Sequence, residues 1–190
     1  MYLYIQTIYL QLTTTIHTDE LVKQCLQGET KAYSELYQRY CKAMFSTCYR
    51  IVNHFAEAED VLQDSFMDAF NNLKTFSYES TFGGWLKTIV INKSINHLRK
   101  KKLDLVDIDK VITEHLTDEN DINEEEIIYK IEEVKLAMQQ LPDGYRTVLS
   151  LYLLEGYDHE EIAEIMHIAT STTRTQYMRA KQKLLQILAK

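Results

Sequence analysis

Asp60, Asp64 and Asp68 recur every four residues, a spacing that lines up three carboxylates along one face of a helix. Metal binding or acid–base chemistry on such a stripe would call for a His at ligand spacing or a glycine-rich phosphate loop beside it, and neither is present. A solvated or partner-binding face is the reading left. His159-Glu160-Glu161 opens like a zinc-hydrolase motif, but position 163 is Ala and the next His, His167, lies eight residues on, so the spacing excludes it. Cys25, Cys41 and Cys48 are an odd set without a CxxC pair, which reads as buried free thiols in a reducing compartment. The six His are scattered. With no nucleophile–base pair, metal set or cofactor loop in sight, the expectation is a protein that is not an enzyme, with no catalytic residue, no metal and no cofactor.

Two other constellations point to nucleic acid. Thr172, Gln176, Arg179 and Lys183 fall at i, i+4, i+7 and i+11, one polar helix face, with Ser171 and Arg174 as further candidate contacts near its start. Thr88, Asn92, Asn96 and Arg99 fall at i, i+4, i+8 and i+11, a second polar helix face, and Arg99-Lys100-Lys101-Lys102 then forms a basic run. Amide side chains both donate to and accept from base edges, and a basic run contacts phosphate. The competing readings are a solvated basic face on a three-helix bundle and a basic run that complements a helix dipole.

The elements that must carry these faces are helical. One Pro and five Gly among 190 residues are few for a β-sandwich or barrel. A short helix is expected over Asp19–Leu26 and a longer one after Gly28, whose apolar stripe runs Tyr33, Leu36, Tyr37, Tyr40, Cys41, Met44, Phe45, Cys48 and Val52. Asn53 is the expected break and N-cap. A second stripe runs from Phe55 to Leu73, residues 74–84 read as a loop with Gly83-Gly84, and a further helix is expected from about Trp85 into Lys102. Beyond it, residues 104–126 hold ten acids against Lys110, a balance of 1 − 10 = −9, so the rest of the chain carries −7 + 9 = +2. The overall charge of −7 therefore does not argue against nucleic acid, because local patches decide phosphate binding.

Helices resume at about Ile127–Gln140, and Leu141-Pro142-Asp143-Gly144 reads as a breaker. Three more are expected near Tyr145–Leu154, Asp158–Met166 and Ser171–Leu188. Asp158 and Glu161 have capping-box spacing, while Tyr157 and Ile162 occupy the two staple positions. A short helix, a tight turn and a second helix whose Thr173, Tyr177, Ala180, Leu184 and Leu188 face inward make a helix-turn-helix. Its second helix would enter a major groove. Because Ala169 has no capping side chain, Thr170 or Ser171 is expected to cap it.

The motifs in order resemble the extracytoplasmic-function (ECF) σ factors, most of all the kind common in Bacteroidetes. Leu141-Pro-Asp-Gly-Tyr-Arg-Thr-Val-Leu, Glu155-Gly-Tyr-Asp-His-Glu-Glu-Ile-Ala-Glu and Thr172-Thr-Arg-Thr-Gln-Tyr-Met-Arg-Ala-Lys are similar to the family's C-terminal domain. Ala58-Glu-Asp-Val-Leu-Gln-Asp-Ser-Phe66, Trp85-Leu-Lys-Thr-Ile-Val-Ile-Asn92 and Asn96-His-Leu-Arg99 are similar to its N-terminal domain. The resemblance implies an all-α fold of two small domains joined by an acidic linker, the C-terminal one a helix-turn-helix. The expected boundaries are a flexible extension over 1–18, an N-terminal σ domain over 19–103, a linker over 104–128 and a C-terminal domain over 129–190.

The resemblance also implies partners. Asp60, Gln63, Asp64 and Phe66 match the segment that binds the β′ clamp of RNA polymerase core. Residues 76–82 match the loop that holds a flipped base of the −10 promoter element, with Phe76, Tyr78 and Phe82 as walls or stacking platforms. Tyr78 stands where the family often has a second glycine. The C-terminal domain would read the −35 element and dock on the flap of the β subunit. The acidic linker is expected to mimic nucleic acid in the polymerase channel, against a plain spacer as the other reading. An anti-σ factor is a further partner that many members have. Residues 1–16 lack charge, a basic leader region and a small-residue cleavage site, and are too short and polar to span a bilayer, so neither a signal peptide nor membrane insertion is expected and the location implied is cytoplasmic. The competing function is a stand-alone helix-turn-helix regulator, which has no need of the Asp60–Phe66 and Trp85–Lys102 motifs.

Overall fold

A computed structural model describes residues 18–104 and 124–189, and side chains over 18–101 and 130–189. The expected N-terminal extension and most of the acidic linker thus lie outside the described residues. Among the described residues all regular structure is helical. Helix α1 covers 18–26. It is followed by α2 (Thr30–Val52), α3 (Phe55–Asn71), a 3-10 turn (Leu73–Thr75), α4 (Phe82–Asp104), α5 (Glu124–Gln139), α6 (Asp143–Leu153), α7 (His159–Met166) and α8 (Thr170–Leu188). Contacts divide the chain into two compact units, one reaching to Tyr49 and resuming over His54–Ser94, the other formed by Arg50–Asn53 and the chain from Ile95 onward.

In the first unit the apolar stripes meet as their periodicity requires. Leu21, Val22 and Cys25 of α1, Leu36, Met44 and Cys48 of α2, Ala58, Val61, Leu62, Phe66 and Ala69 of α3, and Phe82, Leu86, Val90 and Ile91 of α4 are all buried. Cys48 ties three helices together. Its thiol donates to the Ala58 carbonyl (3.4 Å) and receives the Ser94 hydroxyl (3.3 Å). Cys25 and Cys48 are buried free thiols, while Cys41 is only half-buried and donates to the Gln38 carbonyl. Burial raises both buried thiols out of their usual range, Cys25 to about 11 with the Glu29 charge adding to the effect.

Three element boundaries differ from expectation. Asn53 does break the chain, in a left-handed conformation (φ 58°), but the N-cap of α3 is His54, which accepts from the Glu57 N–H. Helix α4 starts at Phe82 and not at Trp85, so Gly83 and Gly84 sit in its first turn. Thr81 accepts the Gly84 N–H at 3.1 Å, which makes it the cap, and a Cβ on Gly83 would lie 2.8 Å from the Tyr40 ring. The glycine pair is therefore a close-packing site rather than a loop. Pro142-Asp143-Gly144 likewise starts α6 instead of only stopping α5. Pro142 sits at the N-cap, where its missing N–H is no loss.

In the second unit α8 packs against α5, α6 and α7. Met138, Leu141, Leu149 and Ala180 are buried together, with Val134, Tyr145, Tyr177, Leu184 and Ile187 packed on them. Both hydrogen bonds of the Asp158–Glu161 capping box are formed, each at 2.8 Å. His167 ends α7 in a left-handed conformation (φ 47°). Helix α8 then starts with Ala169 at the N-cap and no side-chain cap at all, which corrects the expectation of Thr170 or Ser171. Thr173 is fully buried instead, and its single hydroxyl proton is shared between the Thr170 carbonyl (2.8 Å) and the His159 carbonyl (3.1 Å). This locks α8 onto the start of α7.

Candidate nucleic-acid interface

On α4 the polar stripe is real. Thr88, Asn92 and Asn96 are exposed on the face opposite the buried Leu86, Val90 and Ile91. The Thr88 hydroxyl donates to the Gly84 carbonyl at 3.2 Å. Arg99 departs from its expected place in the basic run. It is half-buried, its Nη1 donates to Asn96 Oδ1 at 3.0 Å, and its Nη2 is buried with no hydrogen-bond partner among the described residues. Lys100 and Lys101 are exposed, whereas the side chain of Lys102 lies outside the described residues.

The loop before α4 holds three aromatics of two kinds. Phe76 and Phe82 are buried and meet edge-on, and with the tilted ring of Trp85 they form a cluster at centroid separations of 5.4 to 5.9 Å. Both phenylalanines are turned into the core, so neither offers an open stacking face, and of the two expected roles burial fits wall rather than platform. Tyr78 rests on Phe76 at 4.6 Å and is 43% exposed, so one ring of the three is accessible. Its backbone takes the left-handed region (φ 61°), the conformation a glycine adopts without strain. Burial, aided by the Asp19 and Glu20 charges, raises its hydroxyl above the ordinary tyrosine value.

On α8, Ser171, Thr172, Arg174, Arg179 and Lys183 are exposed. Arg174 pairs with Glu160 at 2.9 Å, both side chains 63% exposed, a geometry that a phosphate would readily compete for. Gln176 differs from the rest of its stripe. It is half-buried, its Oε1 is buried with no hydrogen-bond partner among the described residues, and it lies 3.6 Å from where a Cβ on Gly144 would sit. Gln176 thus lies beside Gly144, a relation between distant residues that the helix pattern alone does not reveal.

On α3, Asp60, Gln63 and Asp64 are exposed, and Asp68 is held by Lys93 at 2.6 Å. Phe66 is a core residue packed on Tyr37 (4.8 Å) and Phe70 (5.7 Å), so it shapes the helix and offers nothing to a partner's surface. The exposed apolar side chains on this helix are Phe55 and Met67 at its two ends. Met67 follows Gln63 by four residues, a spacing that places it on the same helix face. Among the described residues no three His, Cys, Asp or Glu are grouped to hold a metal, and no helix is long and apolar enough to cross a membrane.

Residues 36–103, which contain both the acidic stripe and the α4 face, match the family described as Sigma-70 region 2, and residues 131–184 match Sigma-70, region 4. The chain is 31% identical over 172 residues to the ECF RNA polymerase sigma factor SigW of Bacillus subtilis, covering 86% of this chain and 92% of that protein. It belongs to the ECF σ factor family. Two further relatives agree in extent. The RNA polymerase sigma-H factor of Pseudomonas aeruginosa is 30% identical over 91% of this chain and 94% of its own length. The ECF RNA polymerase sigma-E factor of Haemophilus influenzae is 30% identical over 88% and 93%. The fold is shared with the sigma factor RpoE of Bartonella quintana, solved with the anti-sigma factor NepR (TM-score 0.54, 23% identity, 84% of this chain and 98% of that one). As an ECF σ factor the chain directs promoter-specific transcription initiation, a binding task for which the family uses no catalysis of its own.

Proposed function

We propose that this σ factor divides its work between four faces. Asp60, Gln63 and Asp64 of α3 bind the polymerase clamp, with Met67 extending the contact. Thr88, Asn92 and Asn96 of α4 read bases of the −10 element beside Tyr78, while Lys100, Lys101 and Lys102 hold phosphate. Thr172, Arg174, Arg179 and Lys183 of α8 meet the −35 element, with Ser171 at the helix start and Gln176 buttressing the helix from the side. The observation that carries this reading is the α4 face, where exposed amides stand in register above a buried apolar face and run into lysines. A helix packed only for structure has no need of that order. The partners that follow are RNA polymerase core, through its β and β′ subunits, and promoter DNA, with an anti-σ factor as a regulator. The location that follows is the cytoplasm, where polymerase works, and the chain itself catalyses nothing. Its C-terminal motifs support placement with the kind of ECF σ factor common in Bacteroidetes. A stand-alone regulator is not favoured, since it would use neither the clamp-binding nor the −10 face.

Transcription from a library of randomised promoters with purified core polymerase tests the whole reading. Two separated conserved blocks should emerge only when core and σ factor are combined. Specific binding of duplex DNA by the chain alone, with no dependence on core, would reject it in favour of the regulator.

A further inference from the structure

We infer that Arg99 is a positioning residue that holds the amide of Asn96 in one of its two orientations, so that this position presents an NH2 donor and selects a base edge bearing an acceptor. This rests on the reading of α4 as the −10 face and adds the sign of the hydrogen bond to it. A guanidinium has five donors and no acceptor. The Arg99 Nη1 at 3.0 Å can therefore meet only the oxygen of the Asn96 amide. That fixes the amide plane and turns Nδ2 away from Arg99, on a residue that is itself exposed. A hydrogen bond from a charged donor is also stronger than the neutral alternatives an amide would otherwise exchange between. Arg99 is poorly placed to swing away, because it is half-buried and its Nη2 is enclosed by protein.

Two helical turns earlier the same face has the opposite sign. The Thr88 hydroxyl proton is directed to the Gly84 carbonyl at 3.2 Å, which leaves its lone pairs to face outward as acceptors. The stripe thus runs from an acceptor at Thr88 to a donor at Asn96, about 12 Å along the helix axis. An unrestrained Asn pairs with adenine by donating to N7 and accepting from N6. A held amide favours bases that offer acceptors alone at the contacted edge, such as guanine N7 and O6 or thymine O4.

The test uses holoenzyme on promoters randomised through the −10 element, with open complexes recovered and sequenced. Asn96→Asp keeps the contact to Arg99 but removes the donor. It should shift preference at one position, by about five- to tenfold, toward a base that offers an amino group. Arg99→Met should flatten discrimination at that same position, and Arg99→Lys should restore part of it, because an ammonium still reaches the oxygen one turn back. Arg99→Ala provides a second neutral variant if Arg99→Met fails to fold, and helicity by circular dichroism decides which is used. If the neutral variants only lower the salt dependence and leave base rank order intact, Arg99 is a phosphate contact and the inference is overturned, while the α4 reading stands. If Asn96→Ala and Asn96→Asp both leave every position unchanged, the α4 reading fails and the inference with it.

Discussion

Arg146 shows how much a single side chain decides in this protein. It is 3% exposed, and its guanidinium donates to the Leu141 carbonyl (2.8 Å), the Arg50 carbonyl (3.2 Å), the Ile51 carbonyl (2.9 Å) and Asp143 Oδ1 (2.6 Å). Removing it strands buried acceptors as well as an aspartate, so Arg146→Met should destabilise the fold by about 3 kcal/mol. Arg146→Lys should recover little, because one ammonium cannot serve four diverging acceptors. Chemical denaturation of the three proteins measures the difference, and equal midpoints would show that the network contributes nothing net. Cys25 gives a pH signature. Its folded thiol holds the proton up to about 11 against an ordinary value of 9.0. The unfolded chain releases that proton first, so the stabilisation is complete below 9.0 and is lost as pH rises toward about 11. Melting temperature followed across that window should fall less steeply for Cys25→Ala than for the unaltered chain, whatever the offset between them. Parallel curves would mean that the thiol does not titrate there.

At the scale of elements, the helix-turn-helix depends on two different ways of starting a helix. Helix α7 has a complete capping box, and Asp158→Ala should cost about 1 kcal/mol in thermal or denaturant unfolding. Helix α8 has no side-chain cap and is held through buried Thr173. Thr173→Val retains the shape but strips the hydroxyl, and should disturb the angle between α7 and α8 more than overall stability. Loss of −35 discrimination at near-normal melting temperature is the expected result. Helix α3 carries its acids on the outside, clear of the core that Phe66 fills. Reversing Asp60 and Asp64 to Lys should therefore abolish co-purification with core polymerase while leaving helicity intact. Retained affinity with an intact fold would remove α3 from the polymerase interface.

Across the whole molecule, charge segregation matters more than the total. The acidic stretch of residues 104–126 accounts for −9 of a net −7, leaving the remainder weakly basic. Replacing Lys100, Lys101 and Lys102 by Ala should weaken the promoter complex about equally on all sequences, and should flatten its salt dependence by up to roughly 0.9 in log–log slope per lost phosphate contact. Asn96→Ala should instead leave that slope nearly unchanged and alter the rank order of −10 variants. Salt titrations on several promoters separate the two, and identical behaviour of both would reduce α4 to a structural helix with a solvated end.

Helix existence, the apolar stripes, the capping box and the exposed faces of α3, α4 and α8 were legible in the sequence alone. They depend on local periodicity and local hydrogen bonding, which spacing records directly. The order of the motifs carried the family for the same reason. What spacing does not record is which of two candidate residues ends up inside. Phe66, Phe76 and Phe82 are aromatic like Tyr78, yet the three phenylalanines are core, Phe66 against Tyr37, Phe82 against Tyr40 and Phe76 against Trp85, each from another part of the chain. Gly83 and Gly84 read as a loop because glycine ordinarily punctuates, whereas the approach of the Tyr40 ring makes Gly83 a helical residue that must lack a Cβ. Gln176 sits on a polar stripe by periodicity, yet it is half-buried and lies beside Gly144, 32 positions earlier. Arg99 reads both as the end of the polar stripe and as the first base of the run, and only its contact with Asn96 ties it to the stripe. Each of these outcomes depends on which surfaces meet when helices pack, a long-range condition that tertiary structure alone imposes.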